Sequence, residues 1–243
     1  MALLCGIHPV LEALRAHGSR IERLSVERGN KSARLQEIIG LARQRGVPVS
    51  FEEKSWLERK SEGMRHQGVL CYMAEIPLLD AAEILETASS PGLLLILDGI
   101  EDPQNLGGIL RSAEVAGADG VFLPRWRSAG VSPAVVKASA GAAAHVRIAR
   151  SANLRQLLDS VKAKGYWVVG LDAEAERSIW DVDLTPPTAL VIGSEGGGMR
   201  RLVKESCDLL ASIPVRGKVS SLNAGVAAGI ALYECIRQRH MKR

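Results

Sequence analysis

Apolar and polar positions change their period along the chain. Over 9–16, Val10, Leu11 and Leu14 recur at helical spacing. Over 33–45, Leu35, Ile38, Ile39 and Ala42 share one face of a second amphipathic helix. Gly46 stops that helix, and short apolar runs at 21–26, 47–51 and 68–74 read as strands. Residues 1–75 thus predict a small α/β unit. From residue 91 onward, apolar runs alternate with helical stretches, the mark of a mostly parallel sheet covered by helices. Leu93-Leu-Leu-Ile-Leu97 reads as a strand buried on both faces. Further strands fit at 120–123, 146–149, 167–171, 189–192 and 209–214. The intervening helices fit at 106–116, 133–142, 153–164, 199–206 and 222–239.

Between the two parts, Pro77 and Ser89-Ser-Pro-Gly92 punctuate a short stretch, and 76–90 reads as a linker in which Ala81-Ala-Glu-Ile-Leu85 could form a turn or two of helix. The charge distribution supports this division. Residues 1–75 carry 12 basic and 9 acidic groups, 76–90 carry three acids and no base, and 91–243 carry 19 basic and 15 acidic groups. The net +4 of the whole is two basic parts joined by an acidic connector, which suits contact with a polyanion. At 243 residues and 47% hydrophobic, the chain can bury a core without staples, so a disordered tail or a disulfide mini-protein is excluded. Aromatic residues are only 4%, which argues against an RNA surface built from stacking rings. No basic n-region opens the chain, and no apolar run approaches the roughly 18 residues of a membrane span, so a cytoplasmic protein without membrane contact is expected. Cys5, Cys71, Cys207 and Cys235 form no CxxC pair and read as small buried hydrophobes in a reducing compartment. The dispersed histidines offer no metal spacing, and no metal site is expected. His66 could contact RNA or be a satisfied loop histidine.

Three loops follow strand ends, the edge where open α/β sheets bind ligands. In the first, Asp102-Pro-Gln-Asn-Leu-Gly-Gly-Ile-Leu-Arg-Ser-Ala113, Asp102-Pro103 makes a turn and Asn105 is a plausible N-cap. Arg111 and Glu114 are either functional or a solvated i,i+3 pair. In the second, Leu190-Val-Ile-Gly-Ser-Glu-Gly-Gly-Gly-Met199, four glycines permit positive φ and close backbone approach to a ligand. Neither GxGxxG nor a Walker A loop fits, and Glu195 would oppose phosphate and suit a cationic or hydroxyl-rich ligand. In the third, Ile213-Pro-Val leads to Ser220-Ser-Leu-Asn-Ala-Gly-Val-Ala227, where Ser220, Ser221 or Asn223 can cap the last helix. The small residues of that helix let another backbone come close.

Together, in this order and at this spacing, the three loops resemble the motifs of the SpoU/TrmH family of ribose 2′-O-methyltransferases, a branch of the SPOUT superfamily. The resemblance covers nearly all of 91–243. Gly108 and Gly197 depart from its usual residues. Gly6-Ile-His-Pro-Val-Leu-Glu-Ala-Leu14 and His66-Gln-Gly-Val69 make residues 1–75 similar to the L7Ae/L30e-like RNA-binding domain of some members. The resemblance implies a C-terminal SPOUT α/β-knot domain, a trefoil knot with a mostly parallel sheet, behind a small L7Ae/L30e-like α/β domain. It implies S-adenosyl-L-methionine as cofactor, bound at Leu171, Gly193, Gly196, Ile213 and Leu222. It also implies a homodimer through the knot domain. The substrate would be a guanosine ribose in the P-loop region of bacterial 23S rRNA, either naked or in a pre-ribosomal large subunit.

By the same resemblance, Arg111 is the central catalytic candidate, with Asn105, Asn223, Glu195 and Ser221 orienting it or the ribose. Arginine is effectively never neutral, so a guanidinium clamped on phosphate is favoured over a guanidine base. The alternatives are a tRNA (guanosine-2′-O-)-methyltransferase and a non-catalytic RNA-binding assembly protein.

Overall fold

A computed structural model describes residues 2–17, 21–74, 76–219 and 221–241. The chain divides into two compact units, Met1–Ile76 and Pro77–Arg243.

The first unit is a four-stranded sheet with helices on both faces. Its elements are β1 (Ala2–Cys5), α1 (Ile7–His17), β2 (Ile21–Glu27), α2 (Ala33–Gln44), β3 (Val49–Glu52), α3 (Lys54–Lys60) and β4 (Val69–Met73). The strand order is β1-β4-β2-β3, with only β2 and β3 parallel. The period-2 alternation of β4 explains its full burial. Val69, Cys71 and Met73 join the core under α1 and α2, whereas Leu70 and Tyr72 meet Leu57 of α3 on the other face. Neither β1 nor α3 was expected from the periodicity.

The second unit holds α4 (Ala81–Glu86), β5 (Leu93–Asp98), α5 (Pro103–Val115), β6 (Gly120–Pro124), α6 (Pro133–Ala138), β7 (Ile148–Ser151), α7 (Leu154–Ala163), β8 (Trp167–Leu171), β9 (Thr188–Gly193), α8 (Arg201–Glu205), β10 (Leu209–Ala211) and α9 (Ala224–Met241). Six strands in the order β10-β8-β9-β5-β6-β7 pair in parallel throughout. Leu94 and Ile96 of β5 face the core shared with α4, α7 and α8, so the intervening Leu95 and Leu97 serve the opposite face. The direction of winding reverses between β5 and β9, so the loops leaving their carboxyl ends converge.

The stretch expected as a linker packs within the second unit. Leu79 bridges Ala149, Ile84 and Leu85 of α4 are buried in the core, and the Asp119 carboxylate accepts from Ser89 N and Leu93 N at 2.7 Å each. The apolar pair Ile84–Leu85 supplies the reason. α5 begins at Pro103 rather than Leu106, because Asp102 is the N-cap, accepting from Gln104 N at 3.1 Å, and Pro103 is preset for the first turn. α6 stops at Ala138, ahead of Ala140 and Gly141 in left-handed conformations. Cys71 and Cys235 are buried as expected, but Cys5 and Cys207 are partly exposed. Burial still pushes the thiols of Cys71, Cys207 and Cys235 up to about 12. His66 is a satisfied loop residue, its Nδ1 accepting from Gly68 N at 3.1 Å.

Candidate functional site

The carboxyl ends of β8 and β9, the glycine-rich loop and the segment entering α9 enclose a cavity of about 800 Å³. Its apolar wall includes Leu171, Ile192, Ile213 and Leu222, and its size is that of a small-molecule or cofactor site. Gly193, Glu195, Gly196, Ser221 and Asn223 also line it.

The glycine-rich loop is a tight reversal. Ser194 N donates to Gly198 O at 3.0 Å, and Gly198 N returns a bond to Ser194 O at 2.9 Å. Of the four glycines expected to need conformational freedom, only Gly196 (φ +73°) and Gly198 (φ +62°) are left-handed. Gly193 is required for a different reason. A Cβ there would lie 2.2 Å from the backbone carbon of Gly198, so the chain itself occupies the space.

Asn223 ties this loop to the first one. Its Oδ1 accepts from Gly225 N at 3.0 Å and Val226 N at 3.2 Å, which makes it the cap of α9. That fixes the orientation of the amide, so Nδ2 donates outward to Asn105 Oδ1 at 2.8 Å and to Glu195 Oε1. The same Glu195 oxygen accepts from Ala224 N at 3.2 Å, placing a carboxylate at the positive end of the α9 dipole. Ser220, another candidate cap, lies outside the described residues. Ser221 is exposed at the cavity edge.

Arg111 is not brought into this cluster. It is exposed on α5, and among the described residues its side chain makes no hydrogen bond or ion pair with Glu114 or any other group. The helix geometry explains the separation. Six residues at 100° each leave Arg111 about 120° around α5 from Asn105. The small residues of α9 are used within the chain. Gly225 sits near the Asn105 carbonyl and Gly229 near Ser112 Oγ, both on α5.

Two ion pairs near the site were not evident in the sequence. Asp98, at the end of β5, has a side chain with no solvent exposure. It accepts from Arg200 N and Arg200 Nε at 2.7 Å each, fastening the strand to the residue just past the glycine loop. In the cavity wall, Lys204 Nζ lies 2.5 Å from Asp172 Oδ2. Burial works to raise the Asp172 carboxyl. The bonds from Lys204 and Glu174 N, together with the Lys204 charge, outweigh it and hold the group below its ordinary value. A second recess of about 390 Å³, lined by Asp98, Asp102, Asn105, Arg127 and Arg200 among others, shares Ser194, Glu195 and Gly198 with the main cavity. Among the described residues, no group of three His, Cys, Asp or Glu could hold a metal ion, and no helix is long and apolar enough to cross a membrane.

Residues 92–233 match the SpoU rRNA Methylase family, and residues 3–78 match the RNA 2′-O ribose methyltransferase substrate-binding family. The chain is 40% identical to the 23S rRNA (guanosine-2′-O-)-methyltransferase RlmB of Pseudomonas putida, over 98% of this chain and 97% of that protein. It is 44% identical to the RlmB of Coxiella burnetii, over 96% and 94% of the two chains. Among solved structures, the SpoU methyltransferase AviRb of Streptomyces viridochromogenes in complex with AdoMet aligns with a TM-score of 0.75 at 28% identity, covering 98% of this chain and 90% of that one.

Proposed function

The chain belongs to the SpoU rRNA Methylase family, and from that membership we propose how its own residues carry the family's reaction. It is an S-adenosylmethionine-dependent RNA (guanosine-2′-O-)-methyltransferase of 23S rRNA. The observation that carries the assignment of roles is the junction of Asn105 with Glu195 and Asn223, two residues that line the 800 Å³ cavity.

The cavity fits the cofactor. Leu171, Ile213 and Leu222 offer an apolar seat for a nucleoside, and Glu174 and Glu195 provide carboxylates for a cationic ligand, Asp172 being paired with Lys204. S-adenosylmethionine, when bound, supplies a methyl group made electrophilic by its sulfonium. The protein must then hold the ribose 2′-oxygen in line with that methyl, and alignment of this kind lowers the barrier by several kcal/mol. Because Asn105 Oδ1 is already engaged by Asn223, its Nδ2 is left as a donor toward the ribose. Glu195 is held by the cap of α9, and its second oxygen is an acceptor for the hydroxyl or for a guanidinium.

Arg111 completes the site across a subunit boundary, clamping an RNA phosphate and stabilising charge developing on the ribose oxygen. The second and third loops form the trefoil knot, and two copies associate through this domain. Its support is α9, which leaves Val226 and Tyr233 each half exposed seven residues apart on one stripe. The target is in the P-loop region of the rRNA, on naked RNA or an assembling large subunit, and residues 1–75 dock the RNA. The compartment is the cytoplasm.

The test uses purified protein, methyl-labelled S-adenosylmethionine, and 23S rRNA or tRNA as acceptor. Label should enter 23S rRNA. Arg111→Ala should abolish transfer while leaving cofactor affinity nearly intact. Label in tRNA alone, or unchanged turnover by the variant, would overturn the substrate or the Arg111 role respectively.

A further inference from the structure

The loop after β6 carries the sequence Arg125-Trp-Arg-Ser-Ala-Gly-Val-Ser132, with two arginines and no acid. It leaves the same sheet edge as the site. Its ends are fixed. Arg125 N donates to Ser151 O at 2.8 Å, Ser128 Oγ to Pro124 O at 2.8 Å, and Ala129 N to Ile100 O at 2.8 Å. Arg150 Nη2 adds a bond to Ala129 O at 3.3 Å. Between these anchors Trp126 is 70% exposed, while the next residue, Arg127, adopts a left-handed backbone (φ +56°) and lines the recess that contains Asn105 and Glu195. The Arg125 guanidinium lies 5.6 Å from the Trp126 ring centroid.

A ring held in water on a pinned loop forgoes burial, yet it has little ordering entropy left to lose on contact. With the Arg125 guanidinium near its ring and Arg127 next in sequence, it matches what an unpaired nucleotide offers, a π face for the ring and a phosphate for the cations. Glu101 and Asp102 also line the recess and repel phosphate, so the strand's backbone belongs on the side of the arginine-bearing loop. We propose that Trp126 is a stacking platform for an unpaired base adjacent to the target nucleotide, with Arg125 and Arg127 on its phosphates. This rests on the methyltransferase reading and adds a specificity residue to it. It also revises the inference drawn from the low aromatic content: one well-placed ring suffices for one base.

The test compares Trp126→Ala and Trp126→Phe in the full chain, using methyl transfer to a 23S rRNA fragment, direct binding of that fragment, and cofactor affinity by calorimetry. Trp126→Ala should raise KM and the RNA dissociation constant roughly tenfold or more, with kcat and cofactor affinity unchanged. Trp126→Phe should recover most of the loss. Wild-type RNA affinity in Trp126→Ala, or a Phe variant as weak as the Ala variant, would overturn the platform. If the wild-type protein bound RNA and cofactor without transferring methyl, the enzymatic reading would fail, while the RNA-binding comparison would still decide the role of Trp126.

Discussion

Asp98→Ala removes the buried carboxylate that joins β5 to the far side of the glycine-rich loop. Two bonds of 2.7 Å are lost. The Arg200 amide is left without its acceptor, at about 1–3 kcal/mol. The Arg200 side chain is 54% exposed, so water replaces much of its bond, and that half adds at most about 1 kcal/mol. The combined cost is about 1–4 kcal/mol. For a unit of this size, that lowers the melting temperature of the second unit on the order of 2–16 °C. The effect should also reach the cofactor. Ser194 to Met199 line the cavity immediately before Arg200, so loosening that anchor depletes the binding-competent loop and raises the S-adenosylmethionine dissociation constant. Calorimetric melting and cofactor titration on the same preparation measure both. A melting temperature within about 1 °C of wild type, with unchanged cofactor affinity, would refute the assignment of Asp98 as the anchor.

Asn223→Asp keeps a good helix cap but points a carboxylate oxygen at Glu195 and Asn105, so stability should change little while methyl transfer falls at least about tenfold. Equal losses in both, measured by melting and turnover, would show that the cap alone matters. Gly193→Ala forces a Cβ against the Gly198 backbone, and should cost about 1–3 kcal/mol in urea unfolding and abolish cofactor binding. Wild-type binding would mean that the loop has room to yield. Asp172 is held below its ordinary value by Lys204, and Glu234 by the hydrogen bond from Arg237. A depressed carboxyl contributes stability above its unfolded value and loses it as pH falls through the folded one. Stability should therefore be flat above about pH 5 and decline below about pH 4. Asp172→Asn should shallow that decline, and an unchanged acid limb in the variant would remove Asp172 from the explanation.

Much of the architecture is legible in single segments. Strand β5 is five consecutive apolar residues before Asp98, and α7 places Leu154, Leu157, Leu158 and Val161 on one buried face. Elements without a period stayed hidden. α3 buries only Leu57, and β1 is four residues long. The start of α5 is ambiguous in the sequence because Asp102-Pro103 suits a turn as well as it suits a cap and a first helical residue. At the site, the motifs mark the glycine loop, Asn105 and Asn223, but the bond between the two asparagines, 118 positions apart, is seen only in the fold. The Asp98–Arg200 bond, across 102 positions, has no local signature. Arg111 shows the opposite limit. Its motif marks it for chemistry, but the chain alone leaves it exposed and apart from the cluster, so the role proposed for it across a subunit boundary has no signature in one chain's contacts. Composition counts aromatic rings without locating them, and so could not single out Trp126.

The central assignment is tested most directly by mapping ribose methylation across total RNA from cells with and without this protein. Loss of 2′-O-methylation at one guanosine of 23S rRNA, restored by the wild-type chain and not by Arg111→Ala, is the expected result. An unchanged 23S rRNA profile, or loss confined to tRNA, would contradict it.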